Sequence, residues 1–159
     1  MTDLPSVRLA QRLALALPAA LLAGAYISQY GFGLFPCEMC WWQRWPHFAA
    51  LAFAALSYFA PPKRLLIALA AGGLLTSGAI GFFHAGVEYG FWEGVTSCAA
   101  IALPENGESA LDAIMNSPLV RCDEAPWTLF GISLAGFNFL FSTLGGLAIF
   151  RLLAKDKAA

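Results

Sequence analysis

PPKRLLIALAAGGLLTSGAIGFFHAG, residues 61–86, sets a prolyl-prolyl break and two cations before 22 residues, Leu65 to Gly86, without one Asp, Glu, Lys or Arg. A helix rises about 1.5 Å per residue, so a run of this length crosses the roughly 30 Å hydrocarbon layer of a bilayer. Working outward, three more stretches are long and apolar enough to do the same: 41–60 before the break, 13–30 before that, and 129–150 near the end. Composition agrees, since 59% of the 159 residues are hydrophobic and 12% charged. The mean hydropathy of +0.66 is too apolar for a soluble domain of this size. What lies between the spans, about 31–40 and 87–128, is too little for a second core. The expected architecture is one all-α membrane domain over residues 1–159, a four-transmembrane-helix bundle. Membrane lipid is an expected partner and nucleic acid is not.

The cations orient the bundle. Arg8 and Arg12 precede the first span, Lys63 and Arg64 sit in the break, and Arg151, Lys155 and Lys157 follow the last span, which makes seven of the nine Lys and Arg residues on one side. The positive-inside rule puts that side, with both termini, in the cytoplasm, and the segments 31–40 and 87–128 outside, in the periplasm of a bacterial inner membrane. The first span also fits a signal peptide with Ala23-Gly24-Ala25 as its small-residue site. Its apolar run continues to Tyr30, which favours an uncleaved anchor. Small residues recur every four positions at Ala16, Ala20, Gly24 and Ser28, at Gly73, Ser77 and Gly81, and at Ser142 and Gly146, a spacing that lets helices approach closely. In the long outer segment, Ser109 and Asp112 resemble a capping box that opens a short surface helix carrying Leu111, Ile114 and Met115, ended by Pro118.

All four cysteines, Cys37, Cys40, Cys98 and Cys122, fall on the outer side, where thiols meet an oxidising compartment. Two disulfides or one metal site are the readings to weigh. A bond between Cys98 and Cys122 would close a loop of 25 residues; on chain-entropy grounds that could stabilise the fold by about 3.5 kcal/mol. Cys37 and Cys40 form a C-x-x-C, whose loop is too short to stabilise much in that way; such pairs are usually redox-active or metal-binding. The pair follows Pro36 and opens the second span, and a helix N-terminus favours a thiolate. Arg44 lies seven positions after Cys37, on the same helical face one turn deeper than Cys40. An arginine in a span asks for a partner or a job, or else snorkels to the headgroups. Trp41, Trp42 and Trp45 read as an interfacial belt, which is compatible with a wall for a planar ring. A four-cysteine zinc site is disfavoured because the second pair is not short-spaced, and no metal is expected.

Pro36-Cys37-Glu38-Met39-Cys40 followed by Gln43-Arg44, and Arg121-Cys122-Asp123-Glu124 followed by Trp127 and Phe130-Gly131, resemble the DsbB family of disulfide bond formation proteins over nearly the whole chain. The resemblance implies a disulfide:quinone oxidoreductase. In it Cys37 and Cys40 form the disulfide regenerated by quinone, ubiquinone or menaquinone, with Cys40 the thiolate that faces the ring and Arg44 helping to hold it. Cys98 and Cys122 would form a second disulfide. Cys98 would be attacked by a reduced DsbA-like partner of thioredoxin fold, and Cys122 would then exchange with Cys37. That pathway is a known example of a kinetically oxidised periplasm. His84 and Glu88, one helical turn apart near the outer end of the third span, are candidates for supplying protons or orienting the ring, or are satisfied interfacial polar residues. The Trp41-Trp42 pair departs from the family pattern and leaves quinone preference open. Two rivals stand beside this reading. Vitamin K epoxide reductase-like proteins also combine four spans with a C-x-x-C, but their loop cysteines precede it. A tetraspanin-like scaffold with a stapled outer loop has no use for a C-x-x-C followed by a buried arginine.

Overall fold

The computed structural model describes residues 5–95 and 120–155. It contains α1 (Pro5–Gly31), α2 (Glu38–Leu56), α3 (Lys63–Glu88), a short ribbon of β1 (Thr128–Leu129) and β2 (Ile132–Ser133), and α4 (Leu134–Lys155). The helices pack as a ring in which α1 touches α2 and α4, α3 touches α2 and α4, and α1 and α3 face each other across the diagonal. Among the described residues, α1, α3 and α4 are long and apolar enough by themselves to cross a membrane. The 19-residue α2 is about 28 Å long at 1.5 Å per residue; Gln43, Arg44, Pro46 and His47 lower its hydropathy.

Near the chain ends the core is built from Ala10, Ala14, Ala50, Ala54, Ile67 and Leu74, mostly small side chains that bring the helices together. Gln11 donates to Ser57 Oγ at 3.0 Å, and Arg64 donates to the Leu153 carbonyl at 2.6 Å, closing one of the bare carbonyls at the end of α4. At the opposite end Cys37 caps α2, its sulfur accepting the Cys40 N–H at 3.3 Å. Ser133 caps α4 by accepting the Gly136 N–H at 3.1 Å.

Two expectations change. The fourth helix starts at Leu134 and not at 129, because Phe130 and Gly131 both have positive φ and turn the chain into the two-residue ribbon, the backbone sign of a primed hairpin turn. Tyr89 holds the ribbon to the end of α3: its hydroxyl donates to Gly131 O at 3.0 Å and accepts the Ser133 N–H at 2.9 Å. The small stripe of α1 does not face a neighbouring helix. Ala16, Ala20 and Gly24 are exposed, and the helix packs through Val7, Ala10, Gln11, Ala14, Pro18 and Leu22. On α3 and α4 the stripes do what was expected, since Ser77, Gly81, Ser142 and Gly146 are buried. The expected helix around Ser109, Asp112 and Met115 lies outside the described residues.

The neighbouring glycines of α3 give a direct test of close packing. A Cβ on Gly73 would sit 2.9 Å from Pro46 O and 3.1 Å from Ala50 Cβ, whereas one on Gly72 would meet nothing within 4 Å. Gly73→Ala is therefore expected to destabilise the bundle by about 1–3 kcal/mol through overpacking. Gly72→Ala should be neutral or stabilising by up to about 1 kcal/mol. Thermal unfolding of both variants in detergent checks the contrast.

Candidate functional site

The start of α2 and the end of α3 bring the chemistry together. The sulfurs of Cys37 and Cys40 are 2.9 Å apart, with Cys37 donating, and His84 Nε2 lies 3.5 Å from Cys37 Sγ. Cys122, arriving from the segment before the ribbon, places its sulfur within 4.8 Å of both Cys37 Sγ and the His84 ring. Cys37 and Cys122 are buried beside Met39 and Val87, with Cys40, Phe83 and Val120 packed around them. Donation to Cys40 and burial push the Cys37 thiol well above its ordinary range, while the His84 ring pulls it the other way. A proton retained on Cys37 makes Cys40 the sulfur that accepts, at the first turn of a helix where negative charge is favoured. Cys98 lies outside the described residues.

Arg44 does not snorkel. It is 6% exposed and reaches sideways to α1, donating from Nη1 to Gln29 Oε1 at 2.7 Å and from Nη2 to Ala25 O at 3.3 Å. Its guanidinium carbon lies 4.9 Å from the centroids of both Tyr26 and Trp41, two cation–π contacts that stabilise a desolvated charge. Trp42 and Trp45 are exposed.

The side chains of His84 and Glu88 are buried, with His84 against Cys37. The Glu88 side chain is 2% exposed, lies 3.8 Å from His84 Nε2 and accepts a hydrogen bond from Ser133 Oγ. Behind His84 is a polar layer that the sequence reading missed. Gln43 Nε2 is 2.8 Å from His84 Nδ1 and donates to Met39 O at 3.2 Å. Asn138 Nδ2 donates to Gln43 Oε1 at 2.8 Å and to Ser77 Oγ at 3.0 Å, and Asn138 Oδ1 is 2.8 Å from His47 Nε2. Polar residues inside spans are functional candidates by default, and that signal would have found Gln29, Gln43, His47 and Asn138. The same contacts bear on metal binding. Cys37, His84 and Cys122 have donor atoms close enough to share an ion, but a Gln43 N–H pointed at Nδ1 puts the His84 proton on Nε2, where a metal would need the lone pair.

Two cavities meet at this cluster. The inner one, about 400 Å³, lies between α1, α2 and α4; Cys40, Arg44, His47, His84 and Glu88 line its polar side. Its apolar wall includes Phe35, Trp127, Phe137 and Phe141, with Ala20, Gly24 and Ser28 of α1 giving it width. Trp41, Trp42 and Trp45 are not part of this wall. The outer cavity, about 430 Å³, is lined by Cys37, Val120, Arg121 and Glu124 and shares Cys40, His84 and Glu88 with the inner one. Cys40 borders both, whereas Cys37 borders only the outer.

A thiol pair at a helix start, a third cysteine within reach and an apolar cavity behind them define a membrane-embedded thiol–disulfide protein. A scan against protein families matches residues 7–152 to Disulfide bond formation protein DsbB, and the chain belongs to that family. It is a multi-pass membrane protein of disulfide bond formation. Comparison with curated proteins and with solved structures gave no match.

The raised Cys37 thiol has a measurable consequence. A thiol titrating above its ordinary range carries less thiolate at pH 8 than a free cysteine, so its alkylation there is slow. The largest cause of the rise is the bond to Cys40. Cys40→Ala is therefore expected to speed alkylation of Cys37 several-fold at pH 8 and to move its pH profile to lower pH, as peptide mapping after timed labelling would read.

Proposed function

We propose that this protein is a disulfide:quinone oxidoreductase of a bacterial inner membrane. It reoxidises a DsbA-like periplasmic protein of thioredoxin fold, with both termini in the cytoplasm and four helices across the bilayer. The observation that carries the reading is that Cys40 forms a wall shared by two cavities, one lined by Cys37 and the neighbours of Cys122, the other apolar and lined by Arg44.

The partner's thiolate attacks Cys98 of a Cys98–Cys122 disulfide and releases the Cys122 thiolate. Cys122, whose sulfur lies within 4.8 Å of Cys37 Sγ, attacks Cys37 of the Cys37–Cys40 disulfide, and Cys40 leaves as a thiolate at the start of α2. The partner's second thiolate then closes its own disulfide and frees Cys98, which attacks Cys122 and restores the outer bond. Cys37 and Cys40 are left as a dithiol holding the two electrons taken from the partner. His84 Nε2–H faces Cys37 and can donate a hydrogen bond that steadies the thiolate there, with Glu88 behind it.

The inner cavity fits a quinone. Its walls are mostly apolar and aromatic, its size is that of a small-molecule site, and its polar side holds a cation, a thiol and the ring of His47, whose Nδ1 is buried without a partner among the described residues. A bound quinone, ubiquinone or menaquinone, supplies an acceptor for two electrons and two protons. Arg44, Cys40, His84 and Glu88 would hold and orient it, and the wall of Phe35, Trp127 and Phe141 would exclude water.

Replacing both Cys98 and Cys122 with Ser is expected to abolish oxidation of a DsbA-like partner while leaving quinone reduction driven by a small dithiol. Partner oxidation at the wild-type rate would overturn the relay. Arg44→Ala is expected to weaken apparent quinone affinity by roughly tenfold, about 1.4 kcal/mol, with Arg44→Lys intermediate because it keeps the charge and loses the planar fork. Unchanged affinity in both variants would remove Arg44 from the site.

A further inference from the structure

A single sense of donation runs through the buried polar layer. The nitrogen of Asn138 donates to Gln43 Oε1 at 2.8 Å and to Ser77 Oγ at 3.0 Å, so its oxygen, 2.8 Å from His47 Nε2, accepts. His47 therefore carries its proton on Nε2. The nitrogen of Gln43 donates to Met39 O at 3.2 Å and meets His84 Nδ1 at 2.8 Å, so His84 also carries its proton on Nε2, facing Cys37 Sγ at 3.5 Å. The chain of donors is His47, Asn138, Gln43, His84, and it ends on the Cys37 sulfur.

Its other end is open. With the proton on Nε2, His47 Nδ1 is a lone-pair acceptor, and it is buried with no hydrogen-bond partner among the described residues. A dry, unfilled acceptor is costly in a membrane-embedded core. His47 is among the residues that line the inner cavity, so a group bound there lies beside its ring. The chain has two histidines, and the Nδ1 of the other, His84, is already taken by Gln43.

We propose that His47 Nδ1 accepts a hydrogen bond from an O–H group in the inner cavity, so that the site holds a hydroquinone more tightly than the matching quinone. The inference rests on the quinone reading above and adds a residue and a redox preference to it. A quinone carbonyl only accepts and leaves Nδ1 unfilled; a hydroquinone hydroxyl donates and fills it. Tighter binding of the reduced form makes the bound couple a stronger oxidant, by about 30 mV for each tenfold of preference in a two-electron couple. That favours withdrawal of electrons from Cys37 and Cys40. His47 acts here as a binding residue for the reduced ring.

The test is equilibrium binding of decylubiquinone and decylubiquinol, and in parallel of menadione and menadiol, to the full chain in detergent. A Cys37→Ala background prevents turnover and leaves the lining of the inner cavity unchanged. Whichever pair binds, the reduced form is expected to bind roughly tenfold more tightly, and its addition should shift the 15N resonance of His47 Nδ1. His47→Gln puts an amide nitrogen where Nε2 stood and can keep the bond to Asn138, but has no acceptor at the Nδ1 position, so the preference should fall toward unity. His47→Asn puts an amide oxygen at the Nδ1 position and cuts the link to Asn138, so part of the preference should survive. A merely structural role for His47 gives the reverse ranking, with Gln harmless and Asn damaging. Equal affinities for the two forms in the His47 protein, or a preference that persists unchanged in His47→Gln, would overturn the proposal while leaving the quinone reading in place. Failure of either pair to bind at all would bring down the quinone reading and this inference together.

Discussion

Inside a hydrocarbon layer a polar side chain has no water to bond, so each one in this bundle has to be answered by another. That constraint fixes how the helices stand. Asn138 on α4 bonds Gln43 of α2 and Ser77 of α3 at once, Ser77 Oγ donates to the Gln43 carbonyl at 2.9 Å, and Ser142 Oγ donates to Asn138 Oδ1 at 2.9 Å. A slide or rotation of any one helix would break several of these bonds together. Arg44 imposes the same condition on α1 through Gln29 and the Ala25 carbonyl. Small residues then let the backbones come close enough for short side chains to reach one another.

The fixed rotation of α2 decides what each cysteine faces. Cys37 caps the helix under the outer cavity, and Cys40, almost one turn later, forms part of the wall of both. In the proposed relay, electrons delivered by disulfide exchange at the outer cavity therefore arrive at a sulfur that also borders an apolar chamber. The ribbon and Tyr89 hold Ser133 where it both caps α4 and donates to Glu88, tying the wall of the chamber to the end of α3.

Much of this was legible in the sequence because it depends on local pattern. The uncharged run of 65–86 and the C-x-x-C before a span each carry their meaning in a short window. What was not legible depends on pairing between distant residues. The start of α4 moved to Leu134 because Phe130 and Gly131 turn back on themselves, a conformation that an apolar tally over 129–150 does not register. The small stripe of α1 could have meant close packing or an empty wall, and only the position of α4 decides for the wall. His84 and Glu88 fit interfacial polarity equally well in the sequence, and their burial with Cys37 and Ser133 is a property of three segments meeting. The partners of Arg44, 15 and 19 positions away, could not be chosen from spacing.

The central claim is that Cys122 and Cys37 meet as exchange partners under the outer cavity. It is tested most directly in a variant with Cys40 and Cys98 replaced by Ser, which leaves these two thiols alone in the full-length membrane protein. Mild oxidation followed by peptide mapping should find a Cys37–Cys122 disulfide within each chain in nearly every molecule. Two thiols that stay reduced and separately alkylatable, or that cross-link only between chains, would contradict the account.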